Sequence, residues 1–161
     1  MDILERLSPH HRSRKSGSVI SAIIIHDTGG KTTESTLSWF EHPGSGVSSH
    51  YVIGKDGVVF RCVPEAKAAW HAGVSSLFGK EQVNEFSIGL EIVDDNDTDR
   101  YPEVQMAAVV ELTADLCKRY AIPLNRVVGH QHIAPGRKVD PGPDFPWEVF
   151  LLKVATLLIT S

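Results

Sequence analysis

The stretch GHQHIAPGRKVDPGP, residues 129–143, concentrates side chains that can bind metal or carry charge. It holds two histidines, an arginine, a lysine and an aspartate, together with three prolines, which lock φ and cannot donate a backbone hydrogen bond. This composition predicts a stiff loop without regular structure. A loop that only connects two elements does not need these side chains, so the stretch is a candidate functional site.

Three side chains could bind a metal ion together. His26 ends the apolar stretch 19–26, His130 ends the predicted strand 125–130, and Asp140 lies in the loop. Strand ends that open onto loops can bring distant side chains together at one edge of a sheet. A catalytic zinc site takes three ligands from His, Asp or Glu and leaves a fourth position for water. No local motif links the three residues, so surface or hydrogen-bonded histidines remain the alternative.

Two further charged residues could take part in catalysis at such a site. Lys138 and Asp140 are two positions apart, so in an extended chain they point to the same side. Lys138 could stabilise an oxyanion, or could form a surface salt bridge of little value. Glu91 shares one face of the predicted strand 87–93 with Gly89, which has no side chain to block a ligand. Glu91 could accept a proton from water beside a metal, or could simply face solvent.

Strands and helices are mixed along the chain. The predicted strands span 19–26, 50–53, 58–63, 87–93 and 125–130. Asp56 and Gly57 supply the turn of a hairpin between the second and third of these. The predicted helices span 32–42, 102–120 and 146–159. This order predicts an α/β fold, a sheet with helices on its faces.

Length and composition limit the classes of function. A chain of 161 residues with 42% hydrophobic and 22% charged residues is typical of one globular domain. The net charge of −4 argues against nucleic acid as a partner. Cys62 and Cys117 do not form a disulfide framework. The first 17 residues lack the apolar core of a signal peptide, which predicts a cytoplasmic protein as synthesised, and no apolar run could cross a membrane. The tract 10–15 is interpreted as a solvated tail, or less favourably as a contact for an anionic surface.

Four segments carry a family resemblance. IIIHDTGG, SSHYVIGKDGVVFRCVPEAKAAWHAG, NEFSIGLEIV and VVGHQHIAPGRKVDPGPDFPW resemble the type 2 N-acetylmuramoyl-L-alanine amidases. This zinc amidase family includes cell-wall recycling enzymes of bacteria, phage lysins and animal peptidoglycan recognition proteins. The resemblance covers residues 19–150, and the combination of AWHAGVSS, SIGLE and the Pro/Gly loop is most similar to the recycling branch.

The resemblance implies a fold, a reaction and a set of site residues. The fold is a single domain with a central mixed β-sheet flanked by helices, in which residues 1–18 are a polar extension and 19–161 the zinc amidase domain. The reaction is hydrolysis of the amide between N-acetylmuramic acid and L-alanine in peptidoglycan or anhydro-muropeptides. The implied zinc ligands are His26, His130 and Asp140. Glu91 matches the catalytic glutamate, and Lys138 the lysine that stabilises the tetrahedral intermediate.

The chain departs from the phage members at one position. Many of them carry a catalytic tyrosine directly before the histidine of the second strand, where this chain has Ser49 before His50 and Tyr51 after it. Neighbours on a strand face opposite ways, so Tyr51 should not substitute, and more of the chemistry rests on Glu91. Non-catalytic recognition members commonly lose the third metal ligand, so the presence of Asp140 favours an enzyme.

The substrate contacts are less strongly indicated. His71 could line the substrate groove or pack inside the domain. Asn84 could contact substrate or cap a turn, and His50 could line the groove or be structural. His132 is not a family metal ligand. Two tryptophans could stack on sugar, although packing is the preferred interpretation for both: Trp39 and Trp70.

Two alternatives remain open at this point. The first is a non-catalytic module that binds peptidoglycan without cutting it. The second concerns biology: a recycling enzyme acting on soluble anhydro-muropeptides in the cytoplasm, or a lysin that reaches the wall by holin-type release. The partners expected are the muropeptide or peptidoglycan substrate, without nucleic acid or membrane insertion, and the protein is expected to be a monomer.

Overall fold

The computed structural model of the protein describes residues 2–94 and 100–160. Within these residues the chain forms ten strands and four α-helices. The strands are β1 (Ile3–Glu5), β2 (His11–Ser13), β3 (Ala22–Asp27), β4 (Tyr51–Ile53), β5 (Val59–Arg61), β6 (Lys67–Ala69), β7 (Ser76–Leu77), β8 (Lys80–Glu81), β9 (Ser87–Ile92) and β10 (Val127–Gly129). The helices are α1 (Thr33–Glu41), α2 (Glu103–Tyr120), α3 (His130–Ile133) and α4 (Trp147–Ile159).

Six of the strands form one mixed sheet in the order β1-β5-β4-β9-β3-β10. The β4–β5 hairpin is antiparallel, and the other neighbours in the sheet are parallel. The central pair, β3 and β9, is hydrogen-bonded along its whole length, with His26 opposite Glu91. The pairs β2–β6 and β7–β8 form two small separate ribbons. The prediction of an α/β domain with a mixed sheet and flanking helices is confirmed.

The alternation of side chains along β3 and β9 gives the sheet two different faces. One face is covered by α2 and α4 and supplies the centre of the main core: Ile23, Ile25, Ile88, Leu90 and Ile92. Each of these side chains is fully buried and contributes about 1.5–3 kcal/mol relative to exposure. The opposite face carries His26, Gly89 and Glu91. Because side chains alternate along each strand, these core residues and the candidate site residues lie on opposite faces of the sheet.

The ends of two helices follow from local chemistry. The Thr32 side chain accepts a hydrogen bond from the Ser35 backbone N–H at 3.2 Å and caps α1. Pro102 lies at the N-cap of α2. None of the helices in the described part of the chain is long and apolar enough to cross a membrane.

The N-terminal tract is not the solvated tail that its composition suggested. β1 adds a parallel edge strand to the main sheet beside β5, and β2 pairs with β6. His10 is buried, and Arg14 reaches into the domain. The Arg14 guanidinium donates to four backbone carbonyls, those of Glu65, Asn84, Glu85 and Ser87. The interpretation of 10–15 as a tail was wrong because a polar side chain can be buried when backbone acceptors satisfy it.

The Pro/Gly stretch is also more regular than expected at its start. His130 opens α3, a single helical turn that follows β10 directly. The Gly129 backbone N–H donates to His132 Nδ1 at 2.9 Å and closes this turn. The role of His132 is therefore to hold the backbone beside a candidate ligand. Between Pro135 and Pro146 the chain is irregular, as predicted.

Candidate metal centre and active site

Four elements meet where the candidate ligands lie. His26 lies near the end of β3, and His130 is the first residue of α3, directly after the neighbouring strand β10. Asp140 lies in the loop that follows α3, and its backbone carbonyl accepts a hydrogen bond from the Gln131 N–H at 3.0 Å. Because β3 and β10 are parallel neighbours, their carboxyl ends meet at one edge of the sheet. The parallel pairing therefore brings together residues that are far apart in sequence.

The three predicted ligands form a compact cluster. His26 Nδ1 lies 3.0 Å from His130 Nδ1 and 3.2 Å from Asp140 Oδ2, and His130 Nδ1 lies 3.1 Å from the same oxygen. Their potential ligand atoms all lie within 4.8 Å of one another. Both histidines are buried, and Asp140 is 19% exposed. The geometry brings together all three residues predicted from the sequence.

The donor set suits a metal cation. The other nitrogen of each ring is already engaged: His130 Nε2 contacts the Ala72 carbonyl at 3.2 Å, and His26 Nε2 contacts His71 Nδ1 at 3.0 Å. The two Nδ1 atoms therefore face one another across a gap beside a carboxylate. Burial lowers the pKa of His26, which favours a neutral ring with a free lone pair. Two imidazole nitrogens and one carboxylate oxygen are a ligand set that zinc accepts.

Asp140 is ionised at neutral pH in this cluster. Burial raises the pKa of its carboxyl, but the adjacent His130 and His26 rings outweigh burial and hold the pKa below its usual value. Asp140 therefore presents a negative charge to the gap between the two Nδ1 atoms. A cation in that gap would satisfy the carboxylate and both lone pairs at once.

Glu91 lies next to this cluster on β9, in register with His26. Burial raises the pKa of Glu91 well above its usual value, the nearby Asp140 and Asp27 carboxylates raise it further, and Lys138 opposes them. A carboxyl with a raised pKa is better suited to general acid–base chemistry near neutral pH than an ordinary glutamate. Its position on the wall of the cavity is what the prediction for Glu91 requires.

A cavity of about 410 Å³ opens over the cluster. The two histidines, Asp140, Glu91 and Lys138 all line it. Lys138 is exposed and lines the cleft. Lys138 and Asp140 therefore face the same cavity, as their spacing indicated.

A second cavity of about 570 Å³ adjoins the first, and the two share Phe40 and Glu91. Trp39 and Lys31 line the second cavity together with hydroxyl side chains of Thr28, Ser35 and Thr36. The preference for packing was wrong for Trp39, which is 52% exposed and stacks on His42. The Trp39 indole faces solvent because Leu37 and Phe40 already occupy the buried side of α1. Trp70 is partly buried against His10.

Two predictions of substrate contact need correction. His50 is fully buried: its Nδ1 accepts from the Gly89 N–H at 3.0 Å, and its Nε2–H donates to the Lys67 carbonyl at 3.0 Å. Burial lowers the pKa of His50 to about 3. Asn84 accepts from the backbone N–H groups of His71 and Ala72 through its Oδ1 and does not line the cavity. Both side chains hold backbone in place, and neither lines the cavity.

His71 lies between the two interpretations that the sequence left open. Its edge lines the cavity, but the residue is only 9% exposed and both ring nitrogens have partners. Burial, followed by the neighbouring His26, His50 and His130 rings, holds the pKa of His71 well below its usual value. The ring is therefore neutral. Substrate contact through His71 stays a prediction.

Tyr51 does not replace the tyrosine of the phage pattern. Its ring is buried, and its hydroxyl donates to Glu65 Oε1 at 2.5 Å on the face of the sheet away from the cluster. Ser49 Oγ, before His50, is buried without a hydrogen-bond partner in the described chain. The expectation that Tyr51 could not substitute is confirmed by this placement.

Sequence reasoning missed Arg137 as part of the site. Arg137 Nη2 donates to the Ala72 carbonyl at 2.7 Å, the same carbonyl that His130 Nε2 contacts, and to the Val74 carbonyl. It therefore holds the segment that orients His130. The signal available was its place in the charged loop, but the distant backbone partner could not be read from the sequence.

The chain is similar to known proteins of one family. A family model described as N-acetylmuramoyl-L-alanine amidase matches residues 16–143. The 1,6-anhydro-N-acetylmuramyl-L-alanine amidase AmpD of Citrobacter freundii is 36% identical over 160 residues, which cover 89% of this chain and 85% of that protein.

Two solved structures are similar to most of the chain. A crystal structure of a selenomethionine AmpD derivative has a TM-score of 0.81 at 34% identity, covering 97% of this chain and 94% of that one. The Escherichia coli amidase AmiD, in complex with anhydro-N-acetylmuramic acid-L-Ala-D-γ-Glu-L-Lys, has a TM-score of 0.76 at 31% identity, covering 88% of this chain and 61% of that one. The fold, the cluster and these relatives confirm the resemblance, and the chain belongs to the N-acetylmuramoyl-L-alanine amidase family.

Proposed function

We propose that this protein is a zinc amidase that cleaves 1,6-anhydro-muropeptides between N-acetylmuramic acid and L-alanine. The observation that carries the proposal is the convergence of His26, His130 and Asp140 on one gap, with Glu91 beside it. The substrate class is supported by the printed activity of the AmpD relatives and by the anhydro-muropeptide bound to AmiD.

Each residue has a role that its surroundings support. Zinc, when bound by His26, His130 and Asp140, supplies Lewis-acid chemistry that acidifies water and polarises a carbonyl. Glu91 takes the proton from the attacking water, aided by its raised pKa. Lys138, which lines the same cavity, stabilises the negative charge that develops on the carbonyl oxygen. Glu91 then returns the proton to the leaving amine of L-alanine.

The two adjoining cavities suit a substrate with two chemically different parts. An anhydro-muropeptide has a sugar on one side of the scissile amide and a peptide with carboxylates on the other. Glu91 and Phe40, which the cavities share, border both. The second cavity offers an exposed indole from Trp39 and an ammonium group from Lys31. We assign one part of the substrate to each cavity.

The catalytic unit is assigned to residues 19–161, with residues 1–18 as its support. Arg14 supports this role because its guanidinium donates hydrogen bonds to backbone carbonyls in β9, just before β9 and in the loop before β6. The recycling role would place the protein in the cytoplasm, where soluble anhydro-muropeptides are its substrate.

The test uses the purified protein and two substrates, a soluble anhydro-muropeptide and intact sacculi. Bound zinc is measured by mass spectrometry of the metal, and products are identified by mass spectrometry with chelator, without chelator and after zinc is restored. Chelator-sensitive cleavage of the soluble fragment alone is expected. Chelator-sensitive release of stem peptides from sacculi would indicate a lysin. Zinc binding without cleavage of either substrate would support a binding module and refute the proposed reaction.

A further inference from the structure

A chain of four groups runs from the candidate metal centre into the domain interior. His26 Nε2 lies 3.0 Å from His71 Nδ1, and His71 Nε2 lies 3.1 Å from Ser87 Oγ. Ser87 Oγ lies 2.7 Å from the Val83 backbone carbonyl. His26, His71 and Ser87 are all buried, so no bulk water competes for these contacts.

The direction of every hydrogen bond is set from the inner end of this chain. The Val83 carbonyl can only accept, so the Ser87 hydroxyl must donate to it. Ser87 Oγ then accepts from the Nε2–H of His71, which leaves His71 Nδ1 without a proton. His71 Nδ1 accepts in turn from the Nε2–H of His26. The proton of the His26 ring therefore lies on Nε2, and the Nδ1 lone pair faces the gap between the ligands.

We propose that His71 is a positioning residue for the metal site, and that Ser87 orients it so that His26 presents Nδ1 to the metal. This inference rests on the proposed zinc centre. A metal-binding histidine whose second nitrogen is hydrogen-bonded keeps both its tautomer and its ring orientation. The other histidine ligand obtains the same constraint directly from a backbone carbonyl, since His130 Nε2 donates to Ala72.

The motif SIGLE supports this arrangement from a second direction. Gly89 lies two residues after Ser87 on the same face of β9, under the His71 ring. A Cβ at Gly89 would lie 2.7 Å from His71 Cγ and 2.8 Å from His71 Nδ1. The missing side chain therefore makes room for the ring that Ser87 orients. Strand β9 therefore supplies the Ser87 hydroxyl that binds His71, the space at Gly89 for the His71 ring, and Glu91.

A positioning role for His71 differs from a substrate contact in its consequences. A side chain that hydrogen-bonds a substrate needs a free polar atom, whereas both nitrogens of His71 already have partners inside the domain. Loss of a positioning residue weakens metal binding before any substrate is present. Loss of a pure groove residue changes KM and leaves zinc affinity unchanged.

The experiment compares zinc affinity of the full chain and its variants by competition with a chromophoric chelator. His71→Phe keeps an aromatic ring and removes the acceptor, and zinc affinity is expected to fall about 10- to 100-fold. His71→Asn restores an acceptor near the Nδ1 position and should recover much of this loss. Gly89→Ala keeps every polar group but pushes the ring, and should weaken zinc binding in the same direction. The visible spectrum of the cobalt-loaded protein should change in His71→Phe, because the ligand ring is free to reorient.

A matched control is His10→Phe, which alters another buried histidine with one ring nitrogen on a backbone carbonyl. It should leave zinc affinity unchanged even if stability falls. Long-range ¹H–¹⁵N spectra of the metal-free protein give a readout independent of metal, and should show His26 and His71 protonated on Nε2. Ser87→Ala is a milder variant that should fold and lose part of the affinity.

Two failures can be told apart. Wild-type zinc affinity and an unchanged cobalt spectrum in His71→Phe would overturn the positioning role while leaving the zinc centre intact. A wild-type protein that binds no zinc would overturn the metal centre itself, and this inference with it. A His26 ring protonated on Nδ1 in the metal-free protein would refute the assigned direction of the chain.

Discussion

Replacing Glu65 with glutamine should destabilise the protein by about 2 kcal/mol at pH 7. Glu65 accepts from the Tyr51 hydroxyl at 2.5 Å, from the Tyr120 hydroxyl, and from both terminal nitrogens of Arg119 at 2.6 and 2.7 Å. These groups join the end of α2 to β4 and to the loop that leads to β6. A glutamine has the same shape but would place an N–H₂ group against donors.

The magnitude follows from the pKa of Glu65. Burial raises it, but hydrogen bonds from Arg119, Tyr120 and Tyr51 lower it from 4.5 to about 2. At 1.36 kcal/mol per pKa unit this corresponds to about 3 kcal/mol. The Arg119 side chain is 42% exposed, so solvent screening reduces the figure to about 2 kcal/mol.

The same shift predicts a pH dependence. Because the pKa of Glu65 is lower in the folded protein than in the unfolded chain, its stabilisation is complete above about pH 4.5. It is lost as the pH falls from about 4.5 to about 2, so the gap between wild type and Glu65→Gln should close over this range.

Urea denaturation of the chelator-treated proteins, followed by circular dichroism at several pH values, measures the effect without interference from metal loss. Asp115→Asn is the control, because Asp115 contacts the same Arg119 at 2.8 Å from a position 50% exposed and should contribute less than about 0.5 kcal/mol. Equal stability of Glu65→Gln and wild type at pH 7, or a gap that does not change below pH 4.5, would refute the reasoning.

Three further predictions concern the active site. Glu91→Gln should retain zinc and lower kcat by about 10²- to 10⁴-fold, because a carboxamide cannot take a proton; normal turnover at full zinc content would exclude Glu91 as the base. Lys138→Met should lower kcat by about 10²-fold, with KM nearly unchanged, because it acts on charge in the transition state; a change confined to KM would contradict this. Trp39→Ala should raise KM for the anhydro-muropeptide and leave kcat and zinc affinity unchanged, as steady-state kinetics can show; an unchanged KM would remove the second cavity from the substrate site.

The elements of this fold were largely predictable because local patterns set them. Alternating apolar residues in 87–93, the Asp56-Gly57 turn and the amphipathic period of 102–120 each specify an element without reference to the rest of the chain. The N-terminal tract could not be predicted in this way. Its strands exist only because β5 and β6 offer free edges, and Arg14 is buried only because distant carbonyls accept from it.

The candidate site residues were likewise predictable only in part. Residue types and a family resemblance in the sequence indicated His26, His130, Asp140, Glu91 and Lys138. The sequence could not show that His50 and Asn84 bind backbone groups, because either residue type can bind a ligand or a backbone group with equal ease. Only the tertiary structure decides which partner lies within hydrogen-bond distance.

What the sequence determined by itself was therefore the chemistry available: the ligand types, the acid–base group and the glycine beside it. Only the tertiary structure decided which of these side chains lie next to one another and how the ligand rings are oriented. The parallel pairing of β3 with β9 and β10 places His26 beside Glu91 and His130. The buried contacts through His71 and Ser87 then determine which nitrogen of His26 faces the gap. A hydrogen bond between residues distant in sequence has no local signature, so the orientation of a ligand ring emerges only when the chain is folded.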